Sequence, residues 1–268
     1  MKKYLHVFTI GLQNTMAYRF NFFTRILFGF IPLMGTIFLW KTIYAGKSVG
    51  QSISGYTLQG MISYYLVITI VDAFTAVSED DWQIAADIKD GNISQLLLKP
   101  LNYLTYRFTL FLSGRAVYTL VALLPVGIFI LCYRHSFYIP VHASTFGWFM
   151  LSICLTGAMQ FFLSYSMALL AFWVAEVSTF IFILYAFEYL AGGHVFPLNL
   201  LPPAIVQVLN FTPFPYQLFF PVSIYLEQTS GPELARGLVI QCFWVVALYG
   251  LAKWTWSRGI RKYSAVGG

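Results

Sequence analysis

Residues 78–107 read SEDDWQIAADIKDGNISQLLLKPLNYLTYR, and they form the one long polar interval between the hydrophobic segments of the chain. Its charged side chains together would cost several kcal/mol in a hydrocarbon core, so the interval lies in water or against another protein. Helix signals predict a short helix over residues 81–89, ended by Gly91, and a second from residue 92 or 94 through Leu98, ended by Pro100. We expect the two helices to form a folded elbow.

The second predicted helix carries apolar side chains on one side, at Ile93, Leu96 and Leu97. Apolar side chains in a polar interval need a surface that covers them. One interpretation is that they dock on a partner protein. The other, which the sequence leaves open, is that they pack back on the membrane domain of the same chain.

The composition is that of an integral membrane protein. Of 268 residues, 59% are hydrophobic, 19% are aromatic and only 10% are charged, and the mean hydropathy is +0.71. No soluble domain of this size would tolerate such a balance at its surface. The net charge of +6 comes from basic residues scattered at the ends of hydrophobic segments, which is typical of membrane topology and argues against nucleic-acid binding.

Six transmembrane helices are predicted in an all-α fold, and residues 1–268 form a single domain. The predicted spans are residues 22–44, 58–77, 108–132, 145–170, 179–193 and 234–256. Residues 1–20 precede them with apolar and polar faces at helical spacing, which predicts an interfacial helix.

The distribution of basic residues predicts the orientation, because Lys and Arg favour the cytoplasmic side of a membrane. With both termini in the cytoplasm, twelve of the sixteen Lys and Arg residues lie inside and four outside. The four on the outer side are Lys41, Lys47, Arg134 and Arg236. The interval at residues 79–107 is then cytoplasmic.

Residues 196–227 are apolar but rich in proline, so they fit neither a normal span nor a normal loop. We expect two short helices there, near residues 203–210 and 216–225, which dip into the outer leaflet without crossing it. Irregular backbone at that depth needs protein or water around it. The stretch is therefore predicted to lie over the outer mouth of a cavity.

The residue types that carry catalysis are dispersed, which argues against an enzyme. The histidines, at His6, His135, His142 and His194, show no partner in the sequence, so neither a metal site nor a histidine base is predicted. The three cysteines, Cys132, Cys154 and Cys242, suit small buried hydrophobic residues. Residues 46–48 read Gly-Lys-Ser, but Lys41 replaces the glycine that a phosphate-binding loop requires.

Two acids lie inside predicted spans, Asp72 in the second and Glu188 in the fifth. An acid in a membrane is costly unless it is paired or exposed to water, so each is a candidate for a transport pathway together with Tyr185. A purely structural hydrogen bond to a neighbouring helix is the alternative for both acids. If Glu188 faces a cavity, it favours cationic or amphiphilic cargo.

The elbow resembles the cytoplasmic coupling segment of type-2 ATP-binding-cassette (ABC) permeases. The pattern is Ile88-x-x-Gly91-x-Ile93-x-x-Leu96-Leu97-x-Lys99-Pro100-Leu101. Further motifs in the same order resemble one bacterial subfamily of these permeases: Phe172-Trp173, Gly192-Gly193, Phe196-Pro197, Pro213-Phe214, Pro221 and the end from Arg261 to Gly268.

The resemblance implies a six-span subunit that works as a homodimer or heterodimer with a separate ATPase. ATP and Mg would then be bound by that ATPase, with no cofactor in this chain. It implies export of a drug, peptide or lipid across the bacterial inner membrane. The residues it assigns to ATPase coupling are Ile88, Gly91, Ile93, Leu96, Leu97, Lys99, Pro100 and Glu176, the last within a second contact at residues 172–176. Those it assigns to an outer gate are Gly192, Gly193, Pro197, Pro213 and Pro221.

Two rival functions stay open. An ion-coupled secondary transporter or channel would use Asp72 and Glu188 as its coupling acids. A membrane enzyme acting on lipid would need a catalytic cluster, which the sequence does not show.

Overall fold

The computed structural model describes residues 2–17, 19–46, 51–77, 80–134 and 137–263. It is 80% helix, with no strand among the described residues, and this confirms the predicted all-α fold. The end motif at residues 264–268, together with Lys47, Glu79 and His135, lies outside the described part.

Twelve α-helices follow one another in the described chain. They are α1 Lys2–Ala17, α2 Arg19–Ala45, α3 Leu58–Thr75, α4 Asp80–Lys89, α5 Ile93–Leu97, α6 Tyr103–Cys132, α7 Ala143–Ala168, α8 Ser178–Ala191, α9 Pro203–Leu209, α10 Phe214–Gln217, α11 Phe219–Tyr225 and α12 Gly231–Lys262. Short 3-10 turns at Leu169–Phe172 and Leu198–Leu200 extend α7 and precede α9.

Helix ends lie where the local sequence supplies a cap. The Thr57 hydroxyl accepts a hydrogen bond of 3.1 Å from the Gly60 amide at the start of α3. Asn102 does the same for α6, accepting from the Thr105 amide at 3.0 Å. Gly91 follows α4 with φ +76, a left-handed conformation that glycine adopts at little cost. Both helices of the predicted elbow are present as α4 and α5, and we use "elbow" for residues 80–100.

Five described helices are long and apolar enough to cross a membrane, and the predicted count of six spans is not confirmed. The five segments are Phe28–Ala45, Leu58–Thr75, Tyr103–Cys132, Ala143–Phe172 and Gly231–Lys262. The predicted fifth span forms α8, which has only 14 residues. At 1.5 Å rise per residue such a helix is shorter than a hydrocarbon core of about 30 Å.

Helices α3 and α7 form the centre of the bundle. Their apolar segments are 61% and 56% buried, whereas those of α2, α6 and α12 are 17–22% buried. The outer helices thus show apolar faces outward, as expected for contact with lipid. The three cysteines, Cys132 on α6, Cys154 on α7 and Cys242 on α12, are exposed, so the prediction that they are buried is wrong.

One end of the bundle gathers the elbow, α1 and the end of α12. Lys3 Nζ donates to the Pro100 carbonyl at 2.6 Å, and the Asn102 amide donates to the Tyr4 hydroxyl at 3.1 Å. The Tyr263 hydroxyl donates to the Gly91 carbonyl at 3.1 Å. We call this the elbow end of the bundle.

The opposite end holds the loops between helices. The Tyr56 hydroxyl donates to Gln228 Oε1 at 2.8 Å, so the loop before α3 contacts the loop before α12. Glu227, in the second of these loops, binds the α6–α7 loop through several donors. They are the Tyr138 hydroxyl, the Val141 and His142 amides, His142 Nδ1 and the Thr145 hydroxyl. His142 therefore has a carboxylate partner, contrary to the prediction, because the chain brings together residues that are 85 positions apart.

These hydrogen bonds make the stability of the opposite end pH-dependent. The bond from the Tyr138 hydroxyl, followed by those from His142, lowers the pKa of the Glu227 carboxyl well below its usual value. Because the folded-state pKa is lower than the unfolded-state pKa of about 4.3, the ionised Glu227 carboxylate stabilises the fold fully when the pH is above about 4.3. That stabilisation is lost as the pH falls from about 4.3 toward the folded-state pKa. We expect Glu227→Gln to lower the melting temperature at neutral pH, with a gap to wild type that narrows below about pH 4.3. Thermal unfolding in detergent across pH tests this, and a gap that stays constant with pH would contradict it.

The proline-rich stretch forms three short helices, α9, α10 and α11, rather than the two predicted. Helix α11 packs against α7 and α3 and is buried along its length from Phe220 to Tyr225. Pro197 and Pro221 are also buried. The second half of the stretch is therefore part of the helical core, because its aromatic and aliphatic side chains find cover against the central helices.

Candidate functional site

A cavity of about 290 Å³ lies between α3, α7 and α8. Its polar lining consists of seven side chains: Asp72, Gln160, Ser164, Tyr185, Glu188, Tyr189 and His194. The three residues predicted for a pathway, Asp72, Tyr185 and Glu188, thus lie together although they come from two helices that are far apart in sequence. Their adjacency makes this cavity the first candidate site.

Both acids of the cavity have polar partners. Asp72 Oδ1 lies 3.3 Å from His194 Nε2, and Glu188 Oε1 accepts a hydrogen bond of 3.0 Å from Gln160 Nε2. The prediction that no histidine has a partner is therefore wrong for His194. The contact joins residues 122 positions apart, and no local spacing could have revealed it.

The turn after α8 positions His194. The Gly193 carbonyl accepts a 2.6 Å hydrogen bond from the Tyr64 hydroxyl, and the Val195 carbonyl accepts one of 2.7 Å from Tyr65. Gly193 has φ +98, and a Cβ there would lie 2.7 Å from the Tyr64 hydroxyl. Only glycine fits this close approach, and it fixes the direction in which His194 leaves the turn.

Replacing Gly193 with alanine is expected to lower the free energy of unfolding by about 1–3 kcal/mol, since the added methyl group meets both a strained backbone and Tyr64. Chemical denaturation in detergent measures this change. Gly250→Ala is the matched control, because no atom lies within 4 Å of a Cβ at that position of α12. Equal stability of the two variants would contradict the proposed role of Gly193.

None of the predicted outer-gate residues lines the cavity. Gly192 and Gly193 directly precede the lining residue His194, and the Gly192 carbonyl accepts a 3.0 Å hydrogen bond from the Phe219 amide. Pro197, Pro213 and Pro221 lie further along the chain. Their assignment to a gate remains a prediction.

The cavity is joined directly to the elbow. The Tyr185 hydroxyl, on the cavity wall, donates a short hydrogen bond to Asp81 Oδ2 at the start of α4. Asp81 is 1% exposed, and burial raises the pKa of its carboxyl, whereas the Tyr185 hydrogen bond acts in the opposite direction. Sequence reasoning missed Asp81 because its partner lies 104 positions away.

A buried ion pair attaches the elbow to α6. Arg107 Nη2 on α6 donates to Asp87 Oδ2 on α4, and Arg107 Nε donates to the Tyr103 hydroxyl at 3.1 Å. Tyr103 in turn donates to Asp87 Oδ2 at 3.0 Å. Arg107 is only 5% exposed, so this network is sheltered from solvent and holds α4 against α6.

The predicted docking residues of the elbow fall into an inner and an outer set. Ile88 and Ile93 are buried in the core at 5% and 0% exposure, and Leu96 packs against the same cluster. Leu97 is 46% exposed, and Leu98, which sequence analysis did not select, is 87% exposed. The inner set matches the interpretation that apolar elbow residues pack on their own chain, whereas the outer pair leaves an apolar surface uncovered.

The second predicted contact, residues 172–176, lies beside the elbow. Glu176 Oε2 lies 3.8 Å from Lys89 Nζ of α4. The Ser178 hydroxyl and amide donate to the Glu176 carboxylate, and together with Lys89 they lower its pKa. Glu176 is therefore an ionised, exposed side chain at the elbow end of the bundle.

Comparison with known proteins identifies the family. The family model described as ABC-2 family transporter protein matches residues 30–267, which is nearly the whole chain. No curated protein and no solved structure matches the chain significantly. The match confirms the resemblance that the elbow and the later motifs indicate. The chain belongs to the ABC-2 family of transporter membrane proteins.

Proposed function

We propose that this chain is the transmembrane subunit of an ATP-driven ABC exporter, moving a hydrophobic or amphiphilic substrate with energy from a separate ATPase. The proposal is based mainly on the elbow. Buried Ile93 and the Asp87–Arg107 ion pair fix it to the helical bundle, while Leu97 and Leu98 stay exposed at its tip. A rigid element with an uncovered apolar tip is suited to receive force from a docked partner.

The proposed arrangement is a multi-pass protein of a bacterial plasma membrane with both termini in the cytoplasm. The clustering of α1, the elbow and the end of α12 supports this, because all three would lie on one side of the membrane. Helix α8 and the irregular chain that follows it would form the fifth crossing, which brings the total to six. Non-helical backbone is tolerated at that depth because Tyr64 and Tyr65 satisfy carbonyls in the turn.

In this account the ATPase binds ATP and Mg and docks on Leu97, Leu98, Lys99 and Pro100, with Glu176 as a second contact. Closure of the ATPase would move the elbow and rock two permease subunits between inward-open and outward-open forms. The hydrogen bond from Tyr185 to Asp81 supports a direct path for that motion, since it joins the elbow to the cavity wall. The second permease subunit is either a copy of this chain or a different one.

A second candidate is an ion-coupled carrier, and the Asp72–His194 contact inside the cavity favours it. Paired titratable groups inside a membrane domain are typical of proton relays. In a carrier, Asp72→Asn would abolish transport and elbow substitutions would not. In an ABC exporter, by contrast, substitutions in the elbow would abolish transport.

The test is purification of the tagged chain from its native host in mild detergent, with mass spectrometry of its partners and an assay of ATP hydrolysis. We expect an ABC ATPase to co-purify and to hydrolyse ATP. Isolation of the chain alone, or only with itself, would contradict the proposal and favour the ion-coupled carrier.

A further inference from the structure

Two acids supply hydrogen-bond acceptors to the cavity. Asp72 and Glu188 are both lining residues, and no Lys or Arg is among the described lining residues. An acidic pair alone would not define a ligand site, because such acids can be satisfied by neighbouring helices. A further acceptor without a partner in the same cavity indicates what the ligand must provide.

Gln160 presents this acceptor. Its Nε2 donates to Glu188 Oε1 at 3.0 Å, which fixes the orientation of the amide, because a carboxylate can only accept. The Gln160 side chain is 5% exposed, and its Oε1 has no hydrogen-bond partner among the described residues. A buried carbonyl oxygen without a partner has lost its hydration and gained no hydrogen bond in return, so it is a strong acceptor for a donor group.

His194 lies beside the same cavity. Its Nε2 is 3.3 Å from Asp72 Oδ1, and its Nδ1 is buried and has no hydrogen-bond partner among the described residues. The ring also stacks on Tyr189, with centroids 4.9 Å apart, which holds it in place beside the cavity.

We propose that this cavity binds the protonated primary or secondary amine of an amphiphilic molecule, with the N–H groups donating to Glu188, Gln160 and Asp72. The proposal rests on the proposed transport function, and it deepens it by assigning a substrate class. The acceptor set favours an ammonium with N–H donors over a quaternary ammonium, which has none. Tyr185 and Tyr189 add aromatic rings beside the positive charge.

The test uses the full chain in phosphatidylcholine nanodiscs at neutral pH, with binding measured by calorimetry. The probes are 4-phenylbutylamine, the matched 4-phenylbutan-1-ol and 4-phenylbutyltrimethylammonium. We expect the amine to bind at least about tenfold more tightly than either matched probe, the size of one charge-assisted hydrogen bond. Equal binding of the alcohol or of the trimethylammonium probe would overturn the proposal.

Variants of the chain assign the binding to the cavity. Glu188→Gln is expected to weaken amine binding by about tenfold or more, and Gln160→Leu by about threefold to tenfold. Glu233→Gln removes an exposed carboxylate at the start of α12 and is the control, expected to bind as wild type does. If Glu188→Gln does not fold, Gln160→Leu and Asp72→Asn carry the test. Wild-type binding by these cavity variants would overturn the proposal.

A primary amine can come from a free molecule or from a lipid headgroup, and nanodiscs containing phosphatidylethanolamine separate these sources. If the amine probe binds more weakly in such nanodiscs, the lipid headgroup competes for the site and is the ligand. If binding of the probe is unchanged, the ligand is a free amine. The ATPase partner is assayed in parallel. Absence of amine binding in a preparation that retains its ATPase refutes the amine site alone, whereas amine binding without any ATPase refutes the transport proposal alone.

Discussion

Replacement of Leu97 with aspartate is expected to remove the ATPase from the purified chain while the chain itself stays folded. Leu97 is 46% exposed beside Leu98 at 87%, so the new carboxylate meets water in the free subunit. In the docked complex the same carboxylate would be buried against an apolar surface, at a cost of about 2–4 kcal/mol, or about 30-fold to 1000-fold in affinity. Quantitative co-purification and ATP hydrolysis measure the loss.

Two comparisons make the Leu97 result specific. Phe211→Asp places the same charge at an exposed apolar position, 84% exposed, in the loop after α9, and the ATPase should be retained. Ile93→Asp places it at a fully buried position of the elbow, and the chain should misfold. Undiminished ATPase recovery with folded Leu97→Asp would show that the tip of the elbow is not the docking contact.

Breaking the buried ion pair of the elbow is expected to lower the free energy of unfolding strongly. Asp87→Asn leaves the Arg107 guanidinium, 5% exposed, without its carboxylate. Removal of one partner from such a pair typically costs about 3–5 kcal/mol, because a buried charge is left uncompensated. We expect the elbow to loosen from α6, which would increase proteolysis near α4 and lower the free energy of unfolding.

Asp90→Asn is the matched control for this substitution. Asp90 directly follows α4 and is exposed, so removal of its charge should change the free energy of unfolding by less than about 0.5 kcal/mol. Similar losses in the two variants would mean that the Asp87–Arg107 pair does not hold the elbow. Replacement of both Asp87 and Arg107 by apolar residues should recover part of the stability, since no lone charge remains.

The sequence predicted the elements of the fold better than their contacts. The elbow helices, the start of α3 and the broken chain after α8 follow from Gly91, Thr57 and the prolines, which act on their nearest neighbours. The bounds of α8 were also predicted closely, since residues 179–193 were expected and the helix runs from Ser178 to Ala191, where the Gly192-Gly193 turn ends it. The crossing assigned to this segment is not confirmed, because hydropathy reports burial or contact with lipid and does not show that a helix of 14 residues spans a membrane.

The candidate site was predictable only in part. Asp72 and Glu188 were found because an acid in an apolar segment is unusual wherever its partner lies. Gln160, His194 and Asp81 were missed because their roles depend on contacts across the bundle, 28, 122 and 104 positions along the chain from their partners. Leu98 was missed for a different reason, since the spacing of a short helix does not show which side faces its own core.

The most direct test of the account is a photocrosslink from the tip of the elbow. With p-benzoyl-phenylalanine in place of Leu98, irradiation of native membranes should cross-link the chain to an ABC ATPase, and the same replacement at the similarly exposed Phe211 should not. We expect a cross-link to the ATPase from position 98 and none from position 211. Absence of that cross-link, or an equal one from position 211, would contradict the claim that the elbow receives the ATPase.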